Sequence, residues 1–163
     1  MEKNELEMLL KEHGKSLSAF CFTIGGSSET AEEIFQEVCL KLMKSDIPFR
    51  GESSTTTFLY KTALNVFRDM YRKNKRRAET VFEESDVSEY VAAIPGNGEE
   101  QEEYEALHRA IVRLPLKYRE VIHLVYFRGV PGSEVAEILG VPSGTVKSRL
   151  HKAKELLKKE LEK

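Results

Sequence analysis

Ser133-Glu-Val-Ala-Glu-Ile-Leu-Gly-Val-Pro-Ser-Gly-Thr-Val-Lys-Ser-Arg-Leu-His-Lys-Ala-Lys154 decides the fold of this 163-residue chain. Two stretches with helical spacing meet there at a short turn. Ala136 keeps the first helix thin where the second must cross it, Gly140 supplies the positive φ of the turn, and Val146 fills the angle between them. Ser143 is expected to cap the second helix. Val146, Leu150, Ala153 and Leu157 then form its buried face, while Lys147, Ser148, His151 and Lys152 look outward. Donors and cations on one outer face suit the major groove of DNA, where base edges are read and phosphates attract positive charge.

Upstream, Tyr104, Leu107, Ile111 and Leu114 keep helical spacing, and Pro115 suits the first turn of a helix from Leu116 to Phe127 that Gly129 ends. At the other end of the chain, Leu6, Leu9, Leu10, His13, Leu17, Phe20, Cys21 and Ile24 predict a helix that stops at Gly25-Gly26. A second helix follows to about Lys44, with Ser28 as its cap, Thr30 and Glu33 as a capping box, and Ala31, Ile34, Phe35, Val38 and Leu42 as its buried stripe. Asp46 to Ser54 contains Pro48 and Gly51 and reads as a loop. The third helix buries Leu59, Ala63, Val66 and Met70, then runs into the basic stretch Arg72 to Arg77. No strand alternation and no internal repeat appear. The expected architecture is all-α: two small helical domains, residues 1–77 and 102–163, joined by an acidic linker at 78–101. Val81, Phe82, Tyr90, Val91 and Ile94 are too apolar for a merely solvated tether, so part of the linker is expected to dock.

The net charge of −2 conceals a block pattern. Residues 1–59 are acidic overall, and residues 60–77 carry seven basic groups against the single acid Asp69. Residues 78–108 hold ten acids and no Lys or Arg, and residues 109–163 are basic again, with twelve cations against six acids. Two cationic segments flanking an anionic one fit two polyanion contacts on a connector that avoids polyanions. No apolar run approaches the ~20 residues needed to cross a bilayer, and the charged start lacks a secretory signal, so membrane insertion is not expected and the cytoplasm is. Cys21 and Cys39 are the only cysteines and cannot build a disulfide framework. His13, Cys21, Cys39, His108, His123 and His151 are scattered without ligand spacing, and neither a Gly-rich phosphate loop nor a nucleophile motif occurs. An enzyme, a metal and a cofactor are therefore not expected.

Tyr60, Lys61, Asn65 and Arg68 beside the loop Phe49 to Ser54 bring aromatic, amide and cationic groups to one end of the third helix. Unpaired bases are held by such groups, through stacking and hydrogen bonds to exposed edges. Taken alone, an ordinary connector between core helices accounts for that stretch as well.

Together these residues resemble a bacterial sigma factor of the extracytoplasmic-function (ECF) group, the minimal members of the sigma-70 family. Ala31-Glu-Glu-Ile-Phe-Gln-Glu37 resembles the second-helix motif of sigma region two, and Phe49-Arg-Gly-Glu-Ser-Ser54 the loop before its promoter-melting helix. Phe58-Leu-Tyr-Lys-Thr-Ala-Leu-Asn65 with Arg68-Asp69 resembles the melting helix, and Leu114-Pro115 through Lys154 resembles sigma region four.

The resemblance implies a transcription initiation factor that binds core RNA polymerase and promoter DNA, with an anti-sigma factor as regulator. By it, Glu32, Glu33, Gln36 and Glu37 would contact the polymerase clamp helices. Phe49, Arg50, Gly51, Glu52, Ser53 and Ser54 would capture a flipped base of the minus-ten element, Asn65 would contact the strand, and Lys61, Arg68 and Arg72 would hold phosphates. Lys147, Ser148, His151 and Lys152 would meet the minus-thirty-five element, with Arg149 on a phosphate or in packing and Thr145 on a phosphate. The acidic linker would thread into the polymerase. Three features depart from the family pattern: Phe58 where Trp is common, Thr55 where a bulky residue is, and Pro131-Gly132-Ser133 ahead of the helix-turn-helix, with Ser133 as a substitute cap. The competing reading is a helix-turn-helix repressor with a helical sensor domain, which would bind an operator without polymerase.

Overall fold

The structure, a computed structural model, describes residues 2–44, 52–73 and 98–163. Residues 46–51 of the expected loop Asp46 to Ser54, residues 74–77 of the expected basic stretch and residues 78–97 of the expected linker lie outside the described residues. α1 (Lys3–Gly25) and α2 (Ser28–Met43) are joined by two residues, which folds the second helix back along the first. Gly26 makes that reversal at φ 81°, a left-handed conformation costly for any residue with a Cβ, and its N–H donates to Phe22 O. Extended Ser27 comes next, and its Oγ accepts from the Thr30 N–H at 3.2 Å. The cap expected at Ser28 therefore sits one residue earlier, because Ser28 is already helical.

α3 (Glu52–Lys73) starts at Glu52, so Glu52, Ser53 and Ser54 form its first turn instead of ending a loop. No Gly or Pro follows Gly51 there to prevent it. Its buried surface is also wider than one stripe. Leu59, Ala63 and Val66 are buried as their spacing predicts, and Tyr60, Leu64 and Phe67 form a second buried strip beside them. The reason is that α3 packs against α1 and α2 and also against a helix of the second unit.

That unit consists of α4 (Gly98–Val112), α5 (Leu116–Ile122) continuing as a π-helical turn at His123–Phe127, α6 (Gly132–Leu139) and α7 (Ser143–Leu161). α4 begins four residues ahead of 102, with Glu99 and Glu100 in a first turn that favours acids. Three of these helices start behind a proline: Pro115, Pro131 and Pro142 are the N-cap residues of α5, α6 and α7. Each holds φ between −55° and −63° with ψ between 145° and 152°, and each carbonyl accepts from the first helical turn. Proline fixes that φ by its ring. Ser143 and Ser133 consequently lie inside α7 and α6 and cap neither. Gly140 turns the chain between α6 and α7 at φ 68°, with its N–H on Ala136 O.

The two units are packed together, α3 against α6 and α1 against α4 and α5, and their buried side chains form one apolar cluster. No helix among the described residues is long and apolar enough to cross a membrane.

Candidate nucleic-acid interface

On α7, Val146 and Ala153 are buried, Leu150 and Leu157 half-buried, and Lys147, Ser148, His151 and Lys152 exposed along the opposite face. Ser148 Oγ donates to Thr145 O at 3.1 Å, which ties the two together at the start of the helix. Glu155, not singled out in the sequence, stands 3.3 Å from His151 Nε2 and 3.7 Å from Lys152 Nζ and tempers this cationic face. Arg149 turns away from it. Its Nη1 lies 3.9 Å from Oε1 of Glu120.

Lys61, Asn65, Arg68 and Arg72 follow one another at steps of four, three and four residues and so share a face of α3. Lys61 and Asn65 are exposed, and Arg72 is exposed with Asp69 at 3.7 Å. Arg68 is half-buried, its Nη2 3.9 Å from the same Oε1 of Glu120. Tyr60 is not presented with them: it is buried edge-on against Phe20 at 4.7 Å, its hydroxyl beside Arg128. Phe49, Arg50 and Gly51 lie outside the described residues. On α2, Glu32, Gln36 and Glu37 are exposed and Glu33 half-buried. Leu40 and Met43 are exposed on the same helix. The sequence carried their signal, since both are apolar yet fall off the stripe Ala31, Ile34, Val38, Leu42.

Between the two basic faces lies a polar junction that sequence spacing did not reveal. Glu120 is only 2% exposed, and its Oε2 has no hydrogen-bond partner among the described residues. Burial pushes its carboxyl up from the ordinary range, and Arg68, Arg149 and Arg119 pull it back only in part. Arg119 bridges the units, donating to Leu114 O at 3.0 Å and to Ile24 O of α1 at 2.7 Å, and burial pushes its guanidinium down to about 10. Thr23 Oγ1 donates to Ala19 O and lies 2.9 Å from His123 Nδ1. With the hydroxyl proton committed to Ala19, the His123 Nδ1–H must donate to Thr23, which fixes the imidazole tautomer. His123 also packs on Phe20 and Phe127, and His108 stacks on Phe127 at 5.0 Å. Burial pushes His123 down to about 3 and His108 to about 4, so both are neutral. Among the described residues no group of three His, Cys, Asp or Glu could hold a metal ion.

The family model of sigma-70 region 2 matches residues 9–77, and that of sigma-70 region 4 matches residues 104–157. The ECF RNA polymerase sigma factor EcfG of Rhodopseudomonas palustris is 30% identical over 142 residues, covering 87% of this chain and 77% of that protein. The ECF RNA polymerase sigma factor SigW of Bacillus subtilis is 33% identical over 150 residues, covering 86% and 80%. Among solved structures, the sigma factor RpoE of Bartonella quintana, in complex with the anti-sigma factor NepR, superposes with a TM-score of 0.70 at 23% identity, covering 98% and 96% of the two chains. With region 2 and region 4 matched in order and such relatives spanning most of its length, the chain belongs to the ECF group of the sigma-70 family, the RNA polymerase sigma factors that give the enzyme its promoter specificity.

Proposed function

We propose that residues 1–77 bind core RNA polymerase and the minus-ten element, that residues 102–163 read the minus-thirty-five duplex, and that residues 78–101 connect them. The single observation that carries this reading is the exposed face Lys147, Ser148, His151, Lys152 on the second helix of a helix-turn-helix, within a chain that matches region 2 and region 4 in sequence order. Such a face brings hydroxyl, imidazole and ammonium donors to base edges and phosphates together. Lys61, Asn65, Arg68 and Arg72 track the opened strand of the minus-ten element, and Phe49 to Ser54 receive its flipped base. Glu32, Glu33, Gln36 and Glu37 meet the polymerase, with Leu40 and Met43 adding apolar contact at the end of the same helix.

The solved relatives are bound to NepR and, for CnrH, to the cytosolic domain of CnrY, which supports an anti-sigma factor as a partner here. The test is transcription of genomic DNA by purified core polymerase with and without this protein, followed by sequencing of transcript starts. New starts sharing two spaced upstream elements are expected only when both are present. Operator binding without polymerase, with lowered transcription, would instead identify a repressor.

A further inference from the structure

We propose that Glu155 sets the base that His151 reads. It keeps the imidazole proton on Nε2 and leaves Nδ1 as a hydrogen-bond acceptor, so that this point of α7 selects a base with an amino group, adenine or cytosine, over guanine or thymine. This rests on the reading of α7 as the helix that meets the minus-thirty-five duplex.

His151 and Glu155 stand four residues apart on α7, one turn along the same exposed face. Glu155 Oε1 lies 3.3 Å from His151 Nε2, and its other oxygen, Oε2, lies 3.7 Å from Lys152 Nζ. One carboxylate is thus shared between two side chains assigned to DNA, with the charge of Lys152 holding it in place. An ionised carboxylate can only accept. A lone pair on Nε2 would face it acceptor to acceptor, so the neutral ring carries its proton on Nε2 and its lone pair on Nδ1. His123 shows the opposite choice for the same reason, since Thr23 accepts at its Nδ1.

The His151 side chain is 79% exposed, so a base edge can reach it. In the major groove adenine N6 and cytosine N4 donate, whereas guanine O6 and thymine O4 accept. A ring that offers a lone pair bonds the first two and is repelled by the second two. Lys147 and Lys152 can only donate, so His151 supplies an acceptor that neither lysine has. Glu155 is then a positioning residue, and His151 the one that touches DNA.

The experiment uses core polymerase with the full chain, on promoters randomised across the minus-thirty-five element, each carrying a transcribed barcode that identifies its element. It is run at pH 8, so that imidazole acts as the neutral ring. The wild type should show one position where adenine and cytosine on one strand outyield guanine and thymine about fivefold, the factor of one ordinary hydrogen bond. His151→Ala should level that position. Glu155→Lys puts a donor where the acceptor was, which moves the lone pair to Nε2 and the proton to Nδ1, and should reverse the preference at the same position. The reversal should vanish when Glu155→Lys is combined with His151→Ala. Both substitutions fall on the exposed face and leave the buried side of α7 intact. Three outcomes overturn the proposal: no position that depends on His151, such a position favouring guanine or thymine in the wild type, or one that Glu155→Lys leaves unaltered. Each leaves polymerase-dependent transcription, and with it the sigma reading, standing. Absence of that transcription in the wild type overturns both.

Discussion

Acidification should destabilise this protein through two particular histidines. His123 is packed among Phe20 and Thr23 of α1, Phe127 and His108, with Arg128 adding positive charge nearby. Its imidazole is pushed down to about 3, and that of His108 to about 4. Both lie far below the ~6.5 of an imidazole in the unfolded chain. A depressed folded value means that the unfolded chain binds the proton first. The stability is complete above about pH 6.5 and is lost as pH falls from there toward the folded values. Between pH 7.5 and 5.5 each histidine favours the unfolded chain by a further factor of about ten, or about 1.4 kcal/mol, giving about 2.7 kcal/mol for the pair. Glu120 acts with the opposite sign: its raised carboxyl takes up a proton in the folded state first, which supports folding on the acid side of its raised value. Urea unfolding at the two pH values, compared between the wild type and His123→Gln, removes the Glu120 contribution by difference. The variant should lose about 1.4 kcal/mol less than the wild type over this interval. Equal losses in both proteins would refute a buried neutral His123.

Ser27→Ala should cost about 1 kcal/mol in the same urea assay, because the Thr30 N–H loses its acceptor, whereas Ser133→Ala and Ser143→Ala should each change stability by less than about 0.5 kcal/mol. Gly140→Ala should destabilise by about 1 to 2 kcal/mol from backbone conformation alone, since a Cβ there meets nothing within 4 Å; thermal unfolding measures it, and a stabilised variant would contradict the turn. Lys147→Ala and Lys152→Ala should each flatten the salt dependence of duplex binding by about 0.9 in log-log slope, readable by fluorescence anisotropy.

Much of this molecule could be read from short-range pattern. The helix-turn-helix followed from Ala136, Gly140 and Val146, whose roles are steric and local, and the exposed set on α7 followed from its period. Helix starts were less legible. Ser27 and Ser28 offer the same hydroxyl one residue apart, and only the left-handed Gly26 decides between them. At α6 and α7 the serines that looked like caps stand behind prolines that set the backbone without a side-chain hydrogen bond. The junction was beyond reach for another reason: Thr23 meets His123 across 100 residues and Arg119 meets Ile24 O across 95, and no periodicity records such pairings. The second strip on α3, Tyr60, Leu64 and Phe67, went unseen because one amphipathic stripe already accounted for the helix.

That doubly covered third helix ties solubility to the packing of the two halves. Should the halves part, some of its oily flank would meet water, and copies with that flank wetted would tend to clump in concentrated solution. The cell would then have reason to keep such a molecule either shut or escorted, and a purified preparation would stay clear for longest under whatever conditions hold it shut.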